Sequence, residues 1–153
     1  MRKFTAIAAL LGVWLGAAFA QEKREKTLAL KDLAPAVQKA IQAELKGGEI
    51  KSIGKEKEDG VVQYEVETVL NGKHRDFNVD ANGKLLVVEE ETSIDSIPAA
   101  AKAAILKRVG DGKLGMVELF LRGGETLYEA AYTTKAGKKH EVLVKADGTE
   151  TRD

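Results

Sequence analysis

The sequence predicts an α+β fold: two tandem copies of a helix followed by four antiparallel strands, forming one sheet with both helices on one face. Three observations carry this. Apolar residues recur every four positions over two separate stretches, and after each stretch the period changes to two. Turn-forming pairs then fall at matching places in the two halves, about 64 residues apart.

The chain opens with a different pattern. Met1-Arg2-Lys3 is a short basic segment, and the run to Ala17 is apolar apart from Thr5 and two glycines. Ala18-Phe19-Ala20 then fits a small-x-small cleavage site, so residues 1–20 are expected to be a signal peptide and Gln21 the first mature residue. The run is shorter than the roughly 20 residues a spanning helix needs, so no stable membrane anchor is expected. Its removal leaves 133 residues, with 22 basic against 24 acidic side chains. That balance gives no reason to expect nucleic acid or an anionic membrane as partner. Residues 21–31 form a charged linker.

The first copy spans 32–91. Leu33, Val37, Ile41 and Leu45 form one helix face, Asp32 stands as its N-cap, Pro35 lies in its first turn and Gly47-Gly48 ends it. Ile50 to Lys57 supplies a first strand. Val62, Tyr64, Val66, Thr68 and Leu70 then alternate with Gln63, Glu65, Glu67 and Val69, as a strand buried on one face does. Asn71-Gly72 turns the chain into Arg75 to Val79, and Asn82-Gly83 turns it into a last strand from Lys84 to Glu91.

The second copy spans 92–153, reached through the short connection Glu91 to Asp95. Ile97, Ala101, Ile105 and Val109 repeat the helical spacing, with Ser96 as N-cap, Pro98 after it and Gly110 at the end. Leu114 to Leu121 is the early strand, and Tyr128, Ala130 and Tyr132 alternate with Glu129, Ala131 and Thr133. Ala136-Gly137 leads to His140 to Val144, and Asp147-Gly148 leads to a short final strand, Thr149 to Asp153. Helices on one side and pairing along the facing edges would bury both apolar faces in one layer.

A helix opened by Leu33-Ala34-Pro35 or Ile97-Pro98, hairpins containing Tyr64-Glu65-Val66, and a closing Asp80-Ala81-Asn82-Gly83-Lys84-Leu85 together resemble the PepSY-like domains. The group most similar is secreted, often tandem, and described as resembling the β-lactamase inhibitory protein. That resemblance covers nearly the whole mature chain and implies binding or inhibition of a protein, often an enzyme, outside the cytoplasm; the chain's own residues give no ground to expect enzyme activity or a cofactor. Two departures stand out: this chain has no cysteine and so lacks the inhibitory protein's disulfides, and none of its inhibitory loop residues has a match here.

The residues that could carry chemistry are few. The serines are Ser52, Ser93 and Ser96, none in a Gly-x-Ser-x-Gly elbow, and absence of cysteine removes thiol catalysis. His74 and His140 lie in corresponding strands, one position out of step, without the spacing of a metal site. Glu89-Glu90-Glu91 reads as a solvated strand end, and as the cation-binding element in an alternative in which the protein is an exported small-ligand or cation carrier. Asp80 to Gly83 and Gly123-Gly124 read as turns.

Strand phase points to a docking surface. Placing Ile53 and Val117 in the core puts Val117, Leu119 and Leu121 under the helices. Met116, Glu118 and Phe120 then face the open side of the sheet, joined by Ala131 and Leu143 from neighbouring strands. The same face of the first copy carries Glu65, Glu67, Asp76 and Asn78. The second copy is therefore expected to expose an apolar patch for another extracytoplasmic protein.

Overall fold

A computed structural model describes residues 27–58 and 60–151, so the expected signal peptide lies outside the described residues. The described chain is α+β. Helices α1 (Pro35–Glu44) and α2 (Ala99–Val109) lie on a nine-stranded sheet. Its strands are β1 (Glu49–Ile53), β2 (Glu56–Glu58), β3 (Val61–Leu70), β4 (Lys73–Asp80), β5 (Leu85–Thr92), β6 (Lys113–Arg122), β7 (Glu125–Thr133), β8 (Lys139–Val144) and β9 (Glu150–Thr151). Their order is β1-β3-β4-β5-β6-β7-β8-β9, every pairing antiparallel, with β2 also on β3. The expected single strand from Ile50 to Lys57 is thus two strands, broken at Gly54-Lys55.

Both helices start later than the expected caps. Alanine 34 and proline 98 occupy the N-cap positions, as Ala34 (ψ 145°) and Pro98 (ψ 141°), and neither offers a capping side chain. The reason lies in the prolines: the residue before a proline is driven to extended geometry, so no helix can run from Asp32 or Ser96 through to the body. Asp32 instead ends a single 3-10 turn, Leu30–Asp32. The Gln38 amide donates back to the Leu33 carbonyl at 2.8 Å, tying that leading segment to the helix.

Two apolar clusters fill the space between helices and sheet. Val37 and Ile41 of α1 pack with Ile53, Tyr64, Val66, Phe77, Val79 and Val88, and Leu28 and Leu30 join this cluster from the leading segment. Ala101, Ile105 and Val109 of α2 pack with Val117, Ala130, Tyr132, Val142 and Val144. The halves meet at the β5–β6 pairing, where Val88 is opposite Leu121 and Thr92 opposite Val117. Opposed residues share a face, and Leu121 packs on the first cluster while Val117 belongs to the second. Both helices therefore cover the same side.

One detail of packing recurs in each half. Gly83 (φ +80°) closes the β4–β5 turn so near α1 that a Cβ there would sit 2.5 Å from the Ala36 carbonyl oxygen. Gly148 (φ +83°) closes the β8–β9 turn against α2, where a Cβ would sit 2.7 Å from the Ala100 oxygen. Only glycine suits both the backbone angle and the gap.

The acidic run Glu89-Glu90-Glu91 is not the solvated edge expected of it. Strand β5 is central, flanked by β4 and β6, so its side chains alternate between the helix side and the open face of the sheet. Glu90 faces the helices and pairs with Arg75 at 2.9 Å. Arg75, itself 4% exposed, also binds the Glu44 carboxylate at 2.9 Å and donates to the Glu44 carbonyl at the end of α1. A buried guanidinium needs this full set of acceptors.

Candidate functional site

The side of the sheet away from the helices follows from the pairings. Glu65, Asn78, Val87, Arg122 and Glu125 form one cross-strand row, and Asp76, Glu89, Phe120 and Leu127 form the next. A third row runs Glu91, Glu118, Glu129, Leu143. Glu118 and Phe120 of β6 and Leu143 of β8 thus lie on the open face. Gly115 and Met116 form a bulge opposite Ala131, and Met116 and Ala131 share the open face at the far end of β6.

The apolar residues here are not exposed as the sequence suggested. Phe120 is 3% and Leu143 9% exposed, and with Leu127 (2%) and half-buried Val87 they form a third apolar cluster. Adjacent strands set these side chains against one another, and longer neighbours close over them. The Arg122 guanidinium lies 5.2 Å from the Phe120 ring centre, and Lys145 pairs with Glu125 at 2.9 Å. Leu127 and Val87 were missed by sequence reasoning. The tight Gly123-Gly124 turn held the signal: it pairs Arg122 with Glu125 and hence Phe120 with Leu127. The five expected docking residues do not form one apolar patch, because Glu118 separates the Phe120–Leu143 cluster from half-buried Met116 and Ala131.

Carboxylates occupy the middle of the face, between Val69 and His74 on one side and a row of Lys113, Thr133 and Lys139 at the far end. Asp76 stands opposite Glu89, Glu91 opposite Glu118, and Glu118 opposite Glu129. Like charges directly opposed across strands are destabilising, and here they are also partly buried. Burial foremost, then the charges of Glu129 and Glu118, push Glu89 up to about 8. Burial, with Glu141 and Glu118 near, pushes Glu129 up to about 8, and burial with Asp76 and Glu141 near raises Glu118 to about 7. Glu129 shares a hydrogen bond with Glu141, which a protonated carboxyl on Glu129 donates. Burial also raises Asp76, against the pull of the Thr68 N–H that donates to it at 2.8 Å. Burial and mutual repulsion thus both favour the protonated form of these carboxyls.

The other sequence candidates separate. His74 lies on the open face, where its backbone N–H donates to Glu91 at 3.0 Å, while His140 faces the helix side and stacks on Tyr132 at 5.4 Å. The one-residue offset between them puts them on opposite sides of the sheet. Asp80 accepts from the N–H groups of Asn82 and Lys84, both at 2.8 Å, so its carboxylate serves its own turn and is held below the usual range. Among the described residues, no group of three His, Asp or Glu is arranged to hold a metal ion. No described helix is long and apolar enough to cross a membrane.

Residues 33–84 match the PepSY family, the peptidase propeptide and YPEB domain. No curated protein matches the chain. Solved structures of the same fold include a protein described as periplasmic from Bacteroides eggerthii, at a TM-score of 0.64 and 16% identity, covering 78% of this chain and 86% of that one. A DUF2874 family protein from Bacteroides uniformis aligns at 0.62 and 14% identity over 78% and 86% of the two chains. A BLIP-like protein from Bacteroides fragilis aligns at 0.57 and 20% identity over 78% and 84%. The region from Leu33 to Lys84 is thus a match to the PepSY family, set in a sheet whose fold is that of DUF2874 and BLIP-like proteins.

Proposed function

We propose that this is an exported, non-catalytic module that binds another protein outside the cytoplasm, and inhibits or regulates it, through the open face of the second half of the sheet. The observation that carries this reading is the third apolar cluster. Val87, Phe120, Leu127 and Leu143 pack together on a side no helix covers, ringed by partly buried carboxylates. A cluster serving the fold alone belongs under the helices, where the other two lie. Holding buried carboxylates together opposes folding, and groups kept at such a cost are more often found at working surfaces than elsewhere. The PepSY match and the BLIP-like fold suit a protein-binding or inhibitor-like module. The repeated approach of Gly83 to α1 and Gly148 to α2 suits an origin by duplication, after which the second copy gained most of the apolar cluster on the open face, with Val87 contributed by the first.

Met116, Glu118, Phe120, Ala131 and Leu143 are the proposed docking residues, with Phe120 and Leu143 as the firm floor and Met116, Glu118 and Ala131 as the accessible contacts. The test is affinity capture from the envelope of the source organism with residues 21–153 as bait. A specific partner should be retained by the wild type and by Lys39→Glu/Lys107→Glu on the exposed helix surfaces. It should be lost with Met116→Arg/Ala131→Arg. Capture indifferent to that pair, in a variant that keeps its melting temperature, removes the open face from the account.

A further inference from the structure

Resting on that reading of the open face, we infer that the docking partner presents a cationic surface, lysine or arginine side chains around an apolar residue, and that its docking expels protons from the face. The argument is charge complementarity, taken strand by strand. On β5, Glu89 and Glu91 point to the open side. From β4 they meet Asp76 and His74, and from β3 the field of Glu65 reaches Glu89 while that of Glu67 acts on Asp76. Strand β6 supplies Glu118, and β7 supplies Glu129 beside it. Strand β8 contributes Glu141, with Lys139 exposed at its start.

The cations native to this face sit at its two ends: Arg122 covers Phe120 and Lys145 is held by Glu125 at one, and Lys113 and Lys139 flank Thr133 at the other. Among the described residues, no lysine or arginine forms an ion pair with Glu89, Glu118, Glu129 or Glu141. Instead the face relieves repulsion by keeping protons, as the Glu129–Glu141 hydrogen bond records. An approaching ammonium or guanidinium supplies the opposite charge that the fold omits, and favours the ionised carboxylates. The proton then leaves to solvent. The charge at the carboxylate centre of this face disfavours a second copy of this chain laid carboxylate on carboxylate, and likewise an anionic membrane or nucleic acid.

The probe is a ten-residue peptide alternating lysine with leucine, with a glutamate-for-lysine peptide as its counterpart, titrated into isotope-labelled residues 21–153 at pH 6 and pH 8.5. The lysine peptide should shift signals of Val87, Leu127 and Leu143, and should bind about tenfold or more tightly at pH 8.5, since binding to ionised groups competes with their protons. Glu89→Gln/Glu129→Gln should flatten that pH dependence. Equal affinity for the glutamate peptide, a footprint away from this face, or affinity unchanged with pH overturns the inference. The docking reading itself fails on a different result, envelope capture indifferent to Met116→Arg/Ala131→Arg. A face-dependent partner whose footprint is acidic would leave docking intact and overturn the cationic assignment alone.

Discussion

Glu118 and Glu129 stand directly opposite each other on β6 and β7, on the side of the sheet that no helix covers. Both are pushed well above the carboxylate value of 4.5, to about 7 and about 8, with burial the first cause in each. Most of what can be tested about this molecule follows from that pair and its neighbours.

Stability should fall as pH rises. A carboxyl whose pKa is raised on folding binds more protons folded than unfolded between its ordinary value of 4.5 and its raised one. Its contribution is full below 4.5 and is lost as pH climbs through 7 to 8 at Glu118, Glu89 and Glu129. Asp80 and Asp147, held low by turn hydrogen bonds, act in the opposite sense only in strong acid. The melting temperature should be about 5–10 °C lower at pH 9 than at pH 5, a loss of roughly 2 kcal/mol. Glu89→Gln/Glu129→Gln should raise it at pH 9 and change little at pH 5. A profile flat from 5 to 9 would contradict the burial of these groups.

Truncating the third apolar cluster should damage the fold. Phe120→Ala is expected to cost about 3–5 kcal/mol and Leu127→Ala about 2–5 in denaturant unfolding, because both side chains are buried among packed neighbours. Losses under about 1 kcal/mol would mean that the cluster opens freely to solvent.

The two turn glycines should behave alike. Alanine at Gly83 or Gly148 meets both a positive φ and a carbonyl oxygen, whereas Gly72 has φ +80° with nothing within 4 Å of its missing Cβ. Gly72→Ala should lose about 1–2 kcal/mol, and the other two should lose about 1–3 kcal/mol more. Equal losses at all three positions would show that the turns do not press on the helices.

The exported form should begin at Gln21, read as the intact mass of the protein from the periplasm or medium. A mass that retains Met1 in a membrane fraction would contradict export by cleavage after Ala20.

The fold was legible because periodicity survives in both halves. Leu33 to Leu45 and Ile97 to Val109 mark the helices, and the alternation from Val62 to Leu70 marks β3, since one buried face imposes its period on the residues. The strand phase at Glu118, Phe120 and Leu143 was legible for the same reason. Exposure was not, because it depends on what lies across the strand: Leu127 against Phe120, and Arg122 folded over the ring. Nor could Glu89 to Glu91 be placed within the sheet. A charge run at the end of the first half looks like an edge until the second half pairs against it, and that pairing is a relation between residues 87 and 122 that no local pattern contains. The helix starts were misjudged at Asp32 and Ser96, where the constraint from Pro35 and Pro98 outweighs capping preference.

The most direct test of docking is methyl-resolved magnetic resonance on the complex of residues 21–153 with the captured partner. The methyl signals of Val87, Leu127 and Leu143 on the open face should shift, while those of Val37 and Ile105 under the helices stay where they are in the free protein. Shifts at Val37 and Ile105, with Val87, Leu127 and Leu143 unmoved, would place the partner on the helices and contradict the account.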